Sequence, residues 1–284
     1  MSRRQIGRHL KDMRTQVGLT LAQAAESADM SPSKLSRLEA GKAGRPRKAD
    51  IAVLCEVYSA PEQLRAALEG MARASKDSWW SSYEDAIPDT FGAYLGLEAT
   101  AARICWHDPN IIPGLAQTDA YARTMITTAD PDAEPGEIDR RLQLRMGRQG
   151  ILNRIVGAPD LRVVVGEAAL RRPVGGPGVM AAQLEHLIKL GRSNRVTLRV
   201  MPLAAPIYQA LPGGAFILLD FPALPGRDDE PATVYVEGLA GELYLDRPQE
   251  TGHYRAAWDD LWRRALDPTR SEQMISHIAK GMRR

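Results

Sequence analysis

The chain has 284 residues, 44% of them hydrophobic and 25% charged, enough for two packed domains and far from the composition of a disordered or collagen-like chain. No apolar run approaches the roughly 18 residues of a membrane helix, and the basic N-terminus lacks the apolar stretch of a signal peptide. The net charge of +2 hides a division: residues 1–48 carry eleven Lys/Arg against four Asp/Glu, or +7, and the rest of the chain sums to −5. A compact basic end on an acidic remainder suits a polyanionic partner.

Residues 1–75 read as consecutive short helices. Ile6, Leu10, Met13 and Val17 recur at helical spacing, and Gly18 ends that helix. Thr20 is placed to cap a helix over 21–28, and Asp29-Met30 form a tight turn. Ser31 is a good N-cap, Pro32 suits the first helical position, and Gly41 stops the third helix after Ala40. A basic loop from Lys42 to Lys48 follows, then helices over Asp50–Tyr58 and Pro61–Ala74.

The segment 19–42, LTLAQAAESADMSPSKLSRLEAGK, has the logic of a helix-turn-helix. Two helices that cross closely need small residues, here Ala22, Ala24, Ala25 and Ala28. Leu35 and Leu38 lie three apart and face inward. Ser33, Lys34 and Arg37 then share the outward face, the one that enters a major groove in such a motif. A Lys or Arg there can donate to guanine O6 and N7, worth about 1–3 kcal/mol of discrimination per bidentate pair.

Residues 76–117 gather aromatics (Trp79, Trp80, Phe91, Tyr94, Trp106) and read as a linker and the start of a second domain. From 118 to 284 the periods mix. Helices are expected over Thr118–Thr128, Glu137–Leu152, Val179–Leu190, Gln249–Leu266 and Ser271–Met282. Strands are expected over Leu161–Gly166, Val196–Met201, Ala215–Phe221, Thr233–Glu237 and Glu242–Asp246. The last three follow closely and suggest a meander. The fold expected is an all-α helix-turn-helix domain (1–75) followed by an α+β domain (118–284) with a mainly antiparallel sheet.

No catalytic constellation can be assembled, so an enzyme is not expected, nor a cofactor. Cys55 and Cys105 lack redox or metal spacing, as do His9, His107, His186, His253 and His277. Gly175-Gly176-Pro177-Gly178 has neither a Gly-Lys-Ser/Thr ending nor a dinucleotide fingerprint and reads as a turn into the next helix. Glu167, Arg171 and Arg172 suit either an anion site or a surface salt bridge. Asp228-Asp229-Glu230 reads as a solvated loop. Trp79-Trp80 with Tyr83 suits either linker packing or a ligand pocket. Trp106, Tyr208, Tyr235 and Tyr244 with apolar strands suggest a small-molecule pocket.

Two resemblances add to this reading. Residues 5–75, with Ser36-Arg37-Leu38-Glu39-Ala40-Gly41 as hallmark, resemble the phage-repressor-like, xenobiotic-response-element (XRE) type of helix-turn-helix. By that resemblance Pro32, Ser33, Lys34 and Arg37 are base-facing, and Thr20, Leu21 and Lys42 lie where the family approaches phosphates. Arg45-Pro46-Arg47 is similar to a basic loop that places an Arg near a narrowed minor groove. Asp29 replaces the usual turn Gly, a change Asp tolerates. Leu21 replaces a common Gln and loses one possible phosphate hydrogen bond. IIPGLAQTDAYARTMI (111–126), VVVGEAALRRPVGGPGVMAAQLEHLIKL (163–190) and VYVEGLAGELYLDRPQE (234–250) are similar to actinobacterial antitoxin-like regulators along essentially the whole chain. Gly166 departs from that pattern, which usually has an acid before Glu167. Taken with the reading of the residues, the resemblances lead to the expectation of a cytoplasmic, nucleoid-associated transcriptional regulator, homodimeric on double-stranded DNA, with a regulatory or partner-binding second domain that binds a small neighbour-encoded protein or senses a small molecule.

Overall fold

A computed structural model describes residues 2–41, 47–60, 65, 68, 83, 91–222, 231–238 and 241–283. Two compact units emerge, the first holding the N-terminal helices and Phe91–Gly96, the second holding the described residues from Leu97 onward.

The first unit is helical. Helix α1 (Ser2–Gln16) ends at Gly18, whose φ of 73° is the left-handed value that stops a helix. Helix α2 (Leu21–Ser27) starts at a reciprocal capping box: Thr20 Oγ1 accepts from Gln23 N, and Gln23 Oε1 accepts from Thr20 N at 3.0 Å. Asp29, at φ 50°, makes the turn into α3 (Pro32–Glu39), which Ser31 caps through Lys34 N at 3.2 Å. Helix α4 (Lys48–Val57) follows. The core draws Ile6, Leu10, Ala24, Ala25, Leu35, Leu38, Ile51 and Leu54 from all four helices. Two expectations are corrected. Ala22 is exposed, because the α2 face toward the core is set by Ala25 and Ala28 together with Ala24. Val17 lies beyond the last turn of α1 and is 44% exposed.

Helix α5 (Phe91–Glu98) spans the division between the units. The second unit is built on a six-stranded mixed sheet. Its strands are β1 (Arg103–Asp108), β2 (Asp160–Gly166), β3 (Val196–Met201), β4 (Phe216–Asp220), β5 (Thr233–Gly238) and β6 (Gly241–Leu245), in the order β3-β2-β1-β4-β5-β6. β1, β2 and β3 pair in parallel; β4, β5 and β6 add an antiparallel meander on the other side of β1. Each parallel step uses helical crossovers: α6 (Asp119–Ala129) and α7 (Pro135–Arg148) before β2, then α8 (Glu167–Arg171) and α9 (Pro177–Gly191) before β3. Helices α10 (Pro248–Arg264) and α11 (Pro268–Met282) end the chain.

The expected meander is present, but the central strand is β1, in the segment read as linker. Its residues RICWHD mix charges with apolar side chains, so the run carries neither clean alternation nor a continuous apolar stretch. On one face Cys105, Val164, Leu218 and Val234 pack with Trp258 and Leu261 of α10. The β3 edge is closed by Ser271 Oγ, which accepts from Val200 N at 3.0 Å, and by Leu266 N, which donates to Val200 O at 2.9 Å.

Candidate nucleic-acid interface

Helix α3 stands on its neighbours through contacts that leave one face free. Leu35 and Leu38 are 0% and 3% exposed and anchor the inner face. Gly7 of α1 allows the closest approach: a Cβ there would lie 2.5 Å from Leu38 O and 2.6 Å from Glu39 O. Glu39, the acid of the hallmark, points inward. Its carboxylate accepts from Arg14 Nε at 2.6 Å and Nη2 at 2.9 Å, while Arg14 Nη1 donates to Leu19 O at 2.9 Å. One guanidinium thus ties the end of α3 to α1 and to the turn before α2. In the sequence Glu39 carries no role beyond its place in the Ser36–Gly41 hallmark.

On the outer face Pro32, Ser33 and Arg37 are exposed, and Arg37 Nε donates to Ser33 O at 3.3 Å. Lys34 leans aside, its ammonium 2.7 Å from Asp50 Oδ1 of α4. Thr20 is exposed, with its hydroxyl engaged in the capping box. Leu21 is half-buried and packs against the helical core, which an apolar residue at that position does better than the polar one it replaces. Arg47 is exposed at the start of α4. Lys42 and Arg45 lie outside the described residues, as do positions 43, 44 and 46 of the basic loop.

In the second unit, the motif at 111–118 forms a loop after β1 that is pinned from several sides. Asp108 Oδ1 accepts from Asn110 N (2.9 Å) and Ile111 N (3.0 Å). Tyr121 OH accepts from Ile112 N at 3.1 Å. Gln149 Nε2 donates to Gln117 O, and the fully buried Gln183 donates to Ala116 O, both at 2.7 Å. Gln183 Oε1 also accepts from Thr118 N at 2.6 Å. Burial raises Asp108 to about 6 against the relief its two backbone donors give.

The family comparison bears on both units. Residues 91–277 match a family described as a domain of unknown function, DUF5753, and residues 5–68 match a helix-turn-helix domain. The chain belongs to the DUF5753 family. Its N-terminal helix-turn-helix marks it as a DNA-binding regulator with a C-terminal domain of unknown function. No curated protein matches the chain.

The DUF5753 domain accounts for the remaining candidates. Glu167 accepts from Arg171 Nε at 2.7 Å and from Leu203 N at 2.9 Å, so it latches α8 to the segment after β3, and the salt-bridge reading holds. These partners, acting against desolvation, hold its carboxyl below the usual range. Arg172 is exposed. Gly166 has a steric reason: a Cβ would meet Pro109 O, so no side chain, an acid included, fits here without a backbone shift. Gly175 and Gly176, at φ 69° and 89°, form the expected turn into α9. The four-aromatic pocket is corrected. Register puts Trp106, Ile217, Tyr235 and Tyr244 on one face, whereas Tyr208 packs on the other with His107 and Phe216. His107 is fully buried, its Nδ1 donating to Val164 O at 3.0 Å, and burial lowers its pKa. Trp79, Trp80 and Asp228-Asp229-Glu230 lie outside the described residues. No group of three or more His, Cys, Asp or Glu able to hold a metal occurs among the described residues. No described helix is long and apolar enough to cross a membrane.

Proposed function

We propose that this protein is a sequence-specific, XRE-type transcriptional regulator in the cytoplasm, that it acts on DNA as a homodimer, and that it is not an enzyme. The observation that carries this is the two-sided α3: Leu35 and Leu38 buried, Pro32, Ser33 and Arg37 exposed opposite them. One such helix reaches only a few base pairs, so two copies on half-sites about one helical turn apart supply the needed length, which predicts a palindromic operator. The DUF5753 domain then serves dimerisation and regulation.

The test starts from genomic fragments recovered with the protein, which define the operator and its half-site spacing. On that operator Arg37→Ala is expected to weaken specific binding more than binding to random DNA. Equal losses on both would reject base reading by Arg37.

A second reading, an antitoxin-like domain that also docks a small protein, is favoured by Leu203, Ile207 and Leu211. These are 66%, 77% and 47% exposed between β3 and β4. Co-purification of a small neighbour-encoded protein, lost in Ile207→Asp, supports it; native pulldowns without such a partner count against it.

A further inference from the structure

One cation of the DUF5753 domain makes no ion pair among the described residues. Arg145 lies on α7 and is half-buried. Its Nη1 donates to Gln117 Oε1 at 3.1 Å, the single hydrogen bond it makes among the described residues. Gln117 is neutral, and its own amide is committed to Ile112 O at 2.7 Å. A guanidinium has five N–H donors in a planar fork. Most of the Arg145 fork is therefore unassigned.

The neighbouring charges do not fill it. Arg148, less than one helical turn on, is 4% exposed, and Glu98 neutralises it through bonds of 3.0 and 2.7 Å. Burial, with repulsion from Arg148 added to it, pushes the Arg145 pKa down to about 10. Glu237 of β5 is within electrostatic reach but makes no ion pair with Arg145, and it is exposed.

The place is the carboxyl end of the parallel strands, the end at which open α/β sheets carry their ligand-binding loops. From β1 the chain builds outward to β2 and β3, then returns to lay β4 on the other side of β1. Because β4 runs antiparallel to β1, the exit of β1 and the entry to β4 both lie at the carboxyl end of the parallel strands. Gln117 belongs to the loop that leaves β1 there. β5 runs parallel to β1, so Glu237 lies toward the same end. The loop is already held by Tyr121, Gln149 and Gln183, so a ligand meets a site whose ordering cost is met in advance.

We propose that Arg145 anchors a binding site for a small organic carboxylate at the carboxyl end of β1. The fork of a guanidinium matches a carboxylate through two parallel N–H···O bonds, and a ligand anion supplies the charge the fold omits. A single negative charge fits better than a polyphosphate. Asp108 and Glu237 interact electrostatically with each other near this end of the sheet and repel further anionic charge. The half-buried Trp106 beside Gly114 offers an apolar surface for the body of an organic acid.

This inference goes beyond the DNA-binding reading and is tested without DNA. Calorimetric melting of the full chain is compared in sodium chloride, sodium benzoate and inorganic phosphate at matched ionic strength. Benzoate is expected to raise the Tm of the DUF5753 domain saturably, and more than phosphate does. Arg145→Met is expected to melt higher than wild type in chloride and to lose the benzoate response. Arg145→Lys, which keeps the charge without the fork and serves if the Met variant does not fold, is expected to bind benzoate at least tenfold more weakly. A wild-type protein indifferent to benzoate, a response retained in both variants, or a phosphate response exceeding that of benzoate would overturn the assignment.

Discussion

Arg14 and Glu39 form a two-pronged ion pair that fixes the C-terminal end of α3 to α1, with side chains only 12% and 6% exposed. Removing one partner of such a pair strands the other charge in a place water reaches poorly. Glu39→Gln is therefore expected to destabilise the helical unit by about 3 kcal/mol. Urea unfolding of the full chain, followed on the helical transition, checks this; a midpoint equal to that of wild type would mean the pair contributes nothing net.

Two glycines within helices separate packing from intrinsic propensity. At Gly7 a Cβ meets the carbonyls of Leu38 and Glu39, so Gly7→Ala should cost about 2 kcal/mol and displace α3. At Gly252, inside α10, nothing lies within 4 Å, and Gly252→Ala should gain about 0.5–1 kcal/mol from helix propensity. Thermal melts of the two variants are expected to move in opposite directions.

Asp50 holds the Lys34 ammonium, which the proposed DNA-binding reading needs to be free for the duplex. Asp50→Asn removes the competing carboxylate and one negative charge beside α3. It is expected to tighten binding to random duplex several-fold. It should also steepen the dependence of log K on log salt by up to about 0.9, the value of one added phosphate contact. Fluorescence anisotropy at several salt concentrations reads both; an unchanged slope places Lys34 off the phosphates.

Asp108 predicts a pH signature. Burial raises its pKa in the folded protein from an ordinary 3.8 to about 6, so the fold prefers the protonated acid. The contribution to stability is fully present below pH 4 and is lost as pH rises through about 6. Asp108→Asn keeps an oxygen for Asn110 N and Ile111 N but carries no charge. Its stability relative to wild type should improve by about 2 kcal/mol between pH 4.5 and 7.5. Chemical denaturation at both pH values tests the sign, and a difference independent of pH would show that Asp108 is not desolvated.

Close packing also gives a test at Gly166, where any side chain must displace Pro109. Gly166→Ala is expected to lower the stability of the DUF5753 domain by about 2 kcal/mol, and Gly166→Glu by more. Melting points of the two variants at or above that of wild type would show that the β1 and β2 ends part more freely than their backbone contact implies.

Local chemistry alone wrote much of this fold. The caps at Thr20 and Ser31, the left-handed Asp29 and the stops at Gly18 and Gly41 depend on residues within a few positions of one another. The α3 faces and the strands over 160–166, 196–201 and 233–238 follow from spacing in the same way. What sequence did not disclose depends on partners far along the chain. Arg14 meets Glu39, Lys34 meets Asp50, and Gln183 holds a loop 65 residues away. RICWHD becomes the middle of a sheet only because β2 and β4 enclose it. Its charged and half-exposed positions hide that burial from any period of two. The partner of Arg145 is likewise a fact of placement, since among the described residues its fork meets the neutral Gln117 and no carboxylate.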